Sequence, residues 1–114
     1  MAPPTPLAIA TSSTRRLVKE EASYHKELQS QEARLAKLEA DKDEDENAEY
    51  QLKQERRAIE ETRAVFPPLR IRITDALHKL EDLLEGAQGN GVGEEEVRAA
   101  KETIQQAKDA LSQK

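Results

Sequence analysis

Apolar residues recur along the first third of the chain at alternating spacings of four and three. The stripe runs through Leu17, Glu21, Tyr24, Leu28, Gln31, Leu35 and Leu38. This spacing places all seven residues on one side of an α-helix, so it predicts a first helix over residues 14–40. Glu21 and Gln31 interrupt the apolar stripe, which predicts imperfect packing at these two positions and a seam that a second copy of the chain could cover.

The residues before this helix predict a different state. Residues 1–13 contain Pro3, Pro4 and Pro6 and then several hydroxyl side chains, which is typical of a mobile tail. The hydroxyl that caps the helix is expected from Thr11, Ser12, Ser13 or Thr14. The predicted organisation is therefore an N-terminal tail over residues 1–13 and a single domain over residues 14–114.

A second stripe predicts a longer helix over residues 46–85. Its apolar positions lie seven residues apart, at Leu52, Ile59, Phe66, Ile73 and Leu80. Leu69, Ala76 and Leu83 join this stripe on one side, and Leu77 and Leu84 join it on the other. Pro67 and Pro68 stand in the middle, where each removes an amide donor and disfavours helix at the preceding residue. Because the apolar register continues across them, we predict one helix that is kinked at Pro67-Pro68.

A third, narrower stripe follows a glycine-rich connection over residues 85–93, in which Gly86 is the expected helix stop. The stripe consists of Val97, Ala100, Ile104, Ala107 and Leu111, and the acids of residues 94–96 occupy the first turn, as the helix dipole prefers. Together the three stripes predict an all-α fold, an antiparallel three-helix bundle with coiled-coil-like packing.

Composition restricts what such a bundle can do. Aromatic residues make up 3% and charged residues 36% of the chain, so the core must be thin and a large ligand pocket is not expected. Cysteine is absent, which excludes disulfides, thiolate catalysis and cysteine-based zinc sites and fits a reducing compartment. No apolar run approaches the ~20 residues of a membrane span, and residues 1–13 lack the features of a secretory signal. We therefore expect a cytoplasmic protein.

Two local motifs resemble ligand sites and then fail. Asp41, Asp43 and Asp45 are spaced like the start of a calcium-binding EF-hand loop, but Glu46 stands at the glycine position and Leu52 at the final glutamate position. The run of residues 89–93, GNGVG, follows a helix and lacks the Gly-Lys-Ser/Thr of a phosphate-binding loop. We interpret the first as an exposed turn and the second as a flexible linker.

The remaining polar residues give no catalytic pattern. His25 and His78 are the only histidines, and neither has a second histidine at metal-binding spacing. Glu21 stands four residues before His25, which indicates an i,i+4 pair on a surface helix. No nucleophile motif occurs. We predict that the chain is not an enzyme and has no catalytic, cofactor-binding or metal-binding residue.

Basic residues cluster in two places. Arg15, Arg16 and Lys19 open the first helix, and the second helix carries Arg56, Arg57, Arg63, Arg70 and Arg72. One interpretation is a solvated face balanced by nearby glutamates, and the other is an electropositive strip that meets an acidic partner. The net charge of −5 and the six acids among residues 41–49 argue against a nucleic-acid partner.

Several of these segments together resemble the tubulin-binding cofactor A family. The run Arg15-Arg16-Leu17-Val18-Lys19-Glu20 with Tyr24 and Lys26-Glu27 is similar to the family's first helix, and residues 7–11 to the segment ahead of it. Glu61-Thr62-Arg63 with Phe66-Pro67 and the 80–84 end are similar to its second helix. The resemblance covers Leu7 to Glu85, whereas the third helix matches in length and pattern only. Ala8 and Ala10 replace frequent lysines, and the glycine-rich connection is longer than the family's.

The resemblance implies a three-helix bundle and a role in tubulin folding. A protein of this family captures β-tubulin after its release from the chaperonin, holds it in a near-native state and passes it on for αβ-tubulin heterodimer assembly, without using a nucleotide. Expected partners are β-tubulin and other tubulin-folding cofactors, with the chain a monomer or homodimer in the cytoplasm and associated with the cytoskeleton. Because β-tubulin is expected to be acidic, the candidate contacts are Arg15, Arg16, Lys19, Arg56, Arg57 and Arg63.

Two other interpretations stay open. A coiled-coil scaffold or oligomerisation module without chaperone activity agrees with the regular apolar spacing, although Pro67-Pro68 and two connections argue against a long rod. A nucleic-acid or membrane-surface binder has less support, because the chain lacks a basic face with interleaved aromatics. Tyr24 lies on the apolar stripe, which favours a core role over an anchor at a partner surface.

Overall fold

The chain forms three helices and, within the residues that the structure describes, no strand. The computed structural model describes residues 3–41, 46–87 and 92–113. The helices are α1 (Pro6–Ala40), α2 (Ala48–Ala87) and α3 (Glu94–Ser112). The predicted all-α fold is confirmed. None of the helices in these ranges is both long and apolar enough to cross a membrane.

Helix α1 begins at Pro6, so the predicted start near residue 14 is wrong. The Thr5 hydroxyl accepts a hydrogen bond from the Ala8 amide at 3.1 Å and thereby caps the first turn. Proline is well suited to the first helical position, because an amide there has no partner within the helix. The pair Thr5-Pro6 therefore starts the helix inside the segment that we predicted to be a tail.

The hydroxyls predicted as caps have another role. Thr11 and Thr14 are buried in the second and third turns of α1, and each donates to the carbonyl four residues earlier, at 2.8 Å in both cases. These bonds satisfy the hydroxyls inside the protein and allow threonine at a core position. Ser12 and Ser13 are exposed mid-helix residues, so none of the four predicted residues is the cap.

Helix α2 passes through Pro67-Pro68 without interruption, which confirms the prediction of one helix at this point. The two carbonyls deprived of amide donors belong to Arg63 and Ala64, and both residues are exposed, so water can hydrate them. The kink itself stays a prediction. Gly86 does not stop the helix, which ends at Ala87. A single glycine near a helix end costs only about 1 kcal/mol, too little to prevent one more residue of helix.

The residues group into two units that we describe separately. Unit 1 comprises Met1–Glu20 and Pro68–Lys114, and unit 2 comprises Glu21–Pro67. The core of unit 1 contains side chains from all three helices: Leu7, Ala10, Leu80, Leu84 and Ala100. Partly buried side chains surround it, among them Leu83, Val97 and Ile104. The single domain over residues 14–114 stays a prediction.

Hydrogen bonds fix the helix directions in unit 1. Thr5 donates to Glu96 at 3.1 Å, and Arg15 donates to Thr103 at 3.2 Å, so α1 and α3 run parallel. Arg70, early in this part of α2, donates to the carbonyls of Ala110 and Leu111 at the end of α3. Helices α2 and α3 are therefore antiparallel. A cation at the final carbonyls also offsets the helix dipole, and α3 has no basic residue in its own last turn.

Unit 2 is an antiparallel pair formed by the second half of α1 and the first half of α2. Ion pairs join Glu32 to Arg63 at 3.4 Å and Glu39 to Arg56 at 3.5 Å, so partner numbers fall in α2 as they rise in α1. The predicted α1 stripe faces inward, but its two polar members are its most buried ones. Glu21 is 2% and Gln31 7% exposed.

Candidate protein-binding surfaces

The three basic residues predicted in α1 differ in their availability. Arg15 is half-buried, and its guanidinium donates to Thr103, which has no exposed surface. Arg16 and Lys19 are exposed. Neither makes a hydrogen bond or ion pair with the part of the chain that the structure describes. On unit 1, Arg16 and Lys19 are therefore the members of this set whose charges can meet a partner without breaking an internal contact.

The basic residues predicted in α2 are mostly paired. Arg56 and Arg63 form the ion pairs with Glu39 and Glu32 described above, as expected for a face balanced by glutamates. Arg57 is different, because its nearest carboxylate, on Glu61, is 4.0 Å away and both side chains are 74% exposed. Such a pair contributes little to stability, so the Arg57 guanidinium is free to exchange partners.

An open depression lies beside Arg56 and Arg57 on unit 2. Its volume is 690 Å³, and its further lining residues are Glu49, Tyr50, Lys53, Gln54 and Glu60. All of them belong to α2, and one helix cannot enclose a cavity. The depression is therefore an exposed helix face of mixed charge, with Tyr50 65% exposed at its edge.

Unit 1 carries a groove that the sequence analysis did not predict. It lies between α1 and α2, has a volume of 320 Å³, and is lined by Pro6, Ile9, Ala10, Ser13, Thr14, Ala76, Lys79 and Leu83. Ile9 is 54% exposed, although it is large and apolar. The groove was missed because residues 1–13 were interpreted as a tail. The signal was present in the apolar run of residues 7–10 directly after Thr5-Pro6.

Aromatic side chains gather inside unit 2. The Phe66 ring contacts the edge of Tyr24, with centroids 6.4 Å apart, and stacks on His25, with centroids 4.5 Å apart. His25 Nε2 lies 3.7 Å from Glu21 Oε1. The i,i+4 pair therefore exists, but its carboxylate is buried and not on the surface as predicted. Tyr24 is half-buried against Phe66, which supports its core role.

Among the described residues, those considered as ligands do not form a metal site. Within residues 3–41, 46–87 and 92–113 no three His, Asp or Glu side chains are placed to hold a metal ion. Leu52, at the position of the missing EF-hand ligand, is 2% exposed and belongs to the core. Residues 42–45 and 88–91, which include Asp43, Asp45 and Gly89, lie outside the described residues.

Comparison with known proteins decides the family. The family model for Tubulin binding cofactor A matches residues 2–104. The chain belongs to this family. The match extends further than the resemblance inferred from the sequence, since it reaches through most of α3.

Relatives of the tubulin binding cofactor A family match nearly end to end. The Saccharomyces cerevisiae tubulin-specific chaperone A is 36% identical over 111 residues, which is 97% of this chain and 98% of the yeast protein. A solved structure of a β-tubulin binding post-chaperonin cofactor has a TM-score of 0.82 at 34% identity and covers 96% of this chain and 100% of its own. The crystal structure of tubulin folding cofactor A from Arabidopsis thaliana has a TM-score of 0.77 at 32% identity. It covers 90% of this chain and 92% of its own.

These relatives are helical proteins named as chaperones and cofactors of tubulin. The predicted family and fold class are therefore confirmed. Cofactor A proteins are folding cofactors and not enzymes, in agreement with the prediction from the sequence.

Proposed function

We propose that this cofactor A protein captures near-native β-tubulin after its release from the chaperonin, holds it, and passes it on for αβ-tubulin heterodimer assembly in the cytoplasm. The observation that carries the proposal is the nearly end-to-end match to proteins named for binding β-tubulin and for tubulin chaperoning. Other tubulin-folding cofactors are the expected recipients. The chain acts as a monomer or homodimer.

The physical basis of holding is differential binding. A protein that binds one state of a client more tightly than the competing states raises the population of that state by mass action. This requires an exposed surface and no reaction chemistry. The exposed cations Arg16, Lys19 and Arg57 suit an acidic client surface, since none of them would leave a buried partner unsatisfied on binding.

The six basic residues predicted as contacts therefore divide into three roles. We propose Arg16, Lys19 and Arg57 as direct contacts. Arg56 and Arg63 can contribute after exchanging Glu39 and Glu32 for carboxylates of the client, at little cost because exposed ion pairs are weak. Arg15 donates a hydrogen bond to Thr103, so we expect it to act indirectly by stabilising the packing of α1 against α3.

The test is capture of β-tubulin synthesised in a cell-free eukaryotic extract. We expect the purified chain to retain β-tubulin without α-tubulin, with the bound protein identified by its mass. Recovery of assembled αβ-tubulin only, or of no tubulin, contradicts the proposal. Transfer is tested by adding the later cofactors with α-tubulin and following release of β-tubulin from the chain into the heterodimer.

The contacts are tested by charge reversal at low salt. The double variant Arg16→Glu/Lys19→Glu should weaken capture severalfold, and the loss should shrink as salt screens the charges. The matched control is Arg98→Glu/Lys101→Glu, which reverses two exposed charges on α3 of the same unit. Equal capture by both double variants and the unmodified chain contradicts the assignment of Arg16 and Lys19.

A further inference from the structure

We propose that the groove between α1 and α2 of unit 1 is a docking site for an amphipathic helical segment of the client, which inserts an apolar side chain beside Ile9 and places a carboxylate against Lys79. This inference rests on the proposed function, because it names where and by what chemistry the client is held. It adds an apolar surface and the cation of Lys79 to the six basic residues.

The lining of the groove is mainly apolar. Its floor contains Ala10, Ala76 and Leu83 together with the buried Thr14, and its rim carries the 54% exposed side chain of Ile9. Contiguous apolar surface rimmed by polar residues marks sites of protein interaction, and the groove joins Ile9 to Ala10, Ala76 and Leu83 in this way. Burying Ile9 on binding would remove its apolar surface from water, which favours association.

No described helix of unit 1 covers this surface. Helix α3 contacts α1 through Arg15, which bonds to Thr103. Arg15 follows Ser13 by two residues, a turn of about 200° around the helix, so α3 and the groove lie on nearly opposite sides of α1. Helix α3 contacts α2 through Arg70 and through Glu81, which pairs with Lys108 at 3.4 Å. Neither residue lines the groove.

Two cations lie beside the apolar surface of the groove. Lys79 is the only charged residue among those lining the groove, and it is exposed and forms no ion pair with any described residue. Arg16 lies three residues after Ser13 and seven after Ile9, so it extends the same side of α1 by one turn. The groove thus combines an apolar floor with two available cations, which complements an apolar side chain next to a carboxylate.

The open shape of the groove suits a helical segment better than a small molecule. A small molecule needs a site that encloses most of its surface, whereas this groove has walls on α1 and α2 only. An amphipathic helix suits such a groove, because residues at i, i+3, i+4 and i+7 present an apolar row with polar groups at its edge. At 320 Å³ the groove takes one or two side chains, so it serves as the centre of a larger contact and the exposed cations as its rim.

The experiment uses the full chain and β-tubulin from the cell-free extract as the probe. Ile9→Gln keeps good helix propensity and removes the apolar rim, and we expect it to weaken capture about tenfold. The matched control is Ile71→Gln, at an isoleucine of α2 in the same unit that is 63% exposed but lies outside the groove. It should bind like the unmodified chain.

Charge is tested separately with Lys79→Glu, which should weaken capture severalfold at low salt and less at high salt, against Lys101→Glu as the control. Circular dichroism and thermal unfolding establish that every variant is folded. Normal capture by Ile9→Gln, or an equal loss in Ile71→Gln, overturns the docking site while leaving the proposed function in place. Failure of the unmodified chain to capture β-tubulin overturns the proposed function itself.

A second copy of the chain is the alternative occupant, and sedimentation of the free protein distinguishes it. If the groove joins two copies, Ile9→Gln converts dimer to monomer and leaves capture of β-tubulin unchanged, which overturns the proposal. A contact with the client predicts the reverse, with unchanged sedimentation and weaker capture.

Discussion

The imidazole ring of His25 stacks on the phenyl ring of Phe66, with centroids 4.5 Å apart and planes inclined by 25°. Tyr24 meets the same phenyl ring edge-on. Phe66 is the only phenylalanine of the chain, and the residue that follows it is the first of the two prolines. A single side chain thus joins the aromatic groups of α1 to α2 within unit 2.

This arrangement predicts that Phe66→Leu destabilises the protein although leucine is apolar and fits a helix. Leucine retains part of the buried area but loses both ring contacts, and we expect a loss of about 1–2 kcal/mol in the free energy of unfolding. Urea denaturation followed by circular dichroism measures it. Val65→Leu, at the neighbouring half-buried position, is the control for a changed apolar shape, and a loss as large there would refute the special role of the ring.

Leu7 and Ile9 lie two residues apart, but we expect their substitution to destabilise the protein by different amounts. Leu7 is 2% exposed in the core of unit 1, so Leu7→Ala should cost about 2–4 kcal/mol of unfolding free energy. Ile9→Ala should cost less than about 1 kcal/mol, because its side chain is already half in water. Denaturant titration of the two variants decides the matter. Equal, small losses would mean that residues 6–13 are not held as described.

Arg70 is expected to stabilise the C-terminal end of α3. Arg70→Gln removes the cation from the carbonyls of Ala110 and Leu111, and we expect a loss of about 1 kcal/mol together with faster amide exchange in the last turn of α3. Arg72→Gln removes an exposed arginine two residues away on the same helix and should leave α3 exchange unchanged. Hydrogen exchange read by mass spectrometry separates the two variants.

Replacing Gln31 with leucine is expected to raise the stability of the protein. Its Oε1 is buried and has no hydrogen-bond partner among the described residues. Gln31→Leu removes that unsatisfied acceptor at similar volume and removes one of the two polar interruptions of the apolar stripe, so we expect about 1 kcal/mol of added stability. Gln29→Leu changes an exposed glutamine of the same helix and should give no gain. A loss of stability in Gln31→Leu would show that its amide makes a contact worth more than the burial.

The apolar spacing was sufficient to predict three helices, because each stripe continued for several turns at the helical period. It placed the start of α3 at residue 94 and carried α2 correctly across Pro67-Pro68. It failed for α1, where three prolines suggested a tail, although proline next to a capping threonine is also how a helix begins. The buried threonines were unpredictable in role, since the same hydroxyl can cap a helix or bond back to it.

The candidate surface was only partly predictable for a different reason. The sequence locates the cations along the chain but does not say which carboxylate each one contacts. Arg56 and Glu39, or Arg70 and Leu111, are distant in sequence and meet only after folding. The exposure of Ile9 depends in the same way on α3 packing against the other side of α1. Long-range packing therefore decides which charged or apolar residues remain for a partner.

The division of residues between the two units also bears on the order in which the chain can fold. Unit 2 is one continuous stretch of sequence, so its two helices can pair during synthesis as soon as residue 67 has left the ribosome. Unit 1 joins the first residues to the last, with the bond from Thr5 to Glu96 closing 91 residues of chain. Closing so long a loop costs entropy, so we expect unit 1 to form after unit 2.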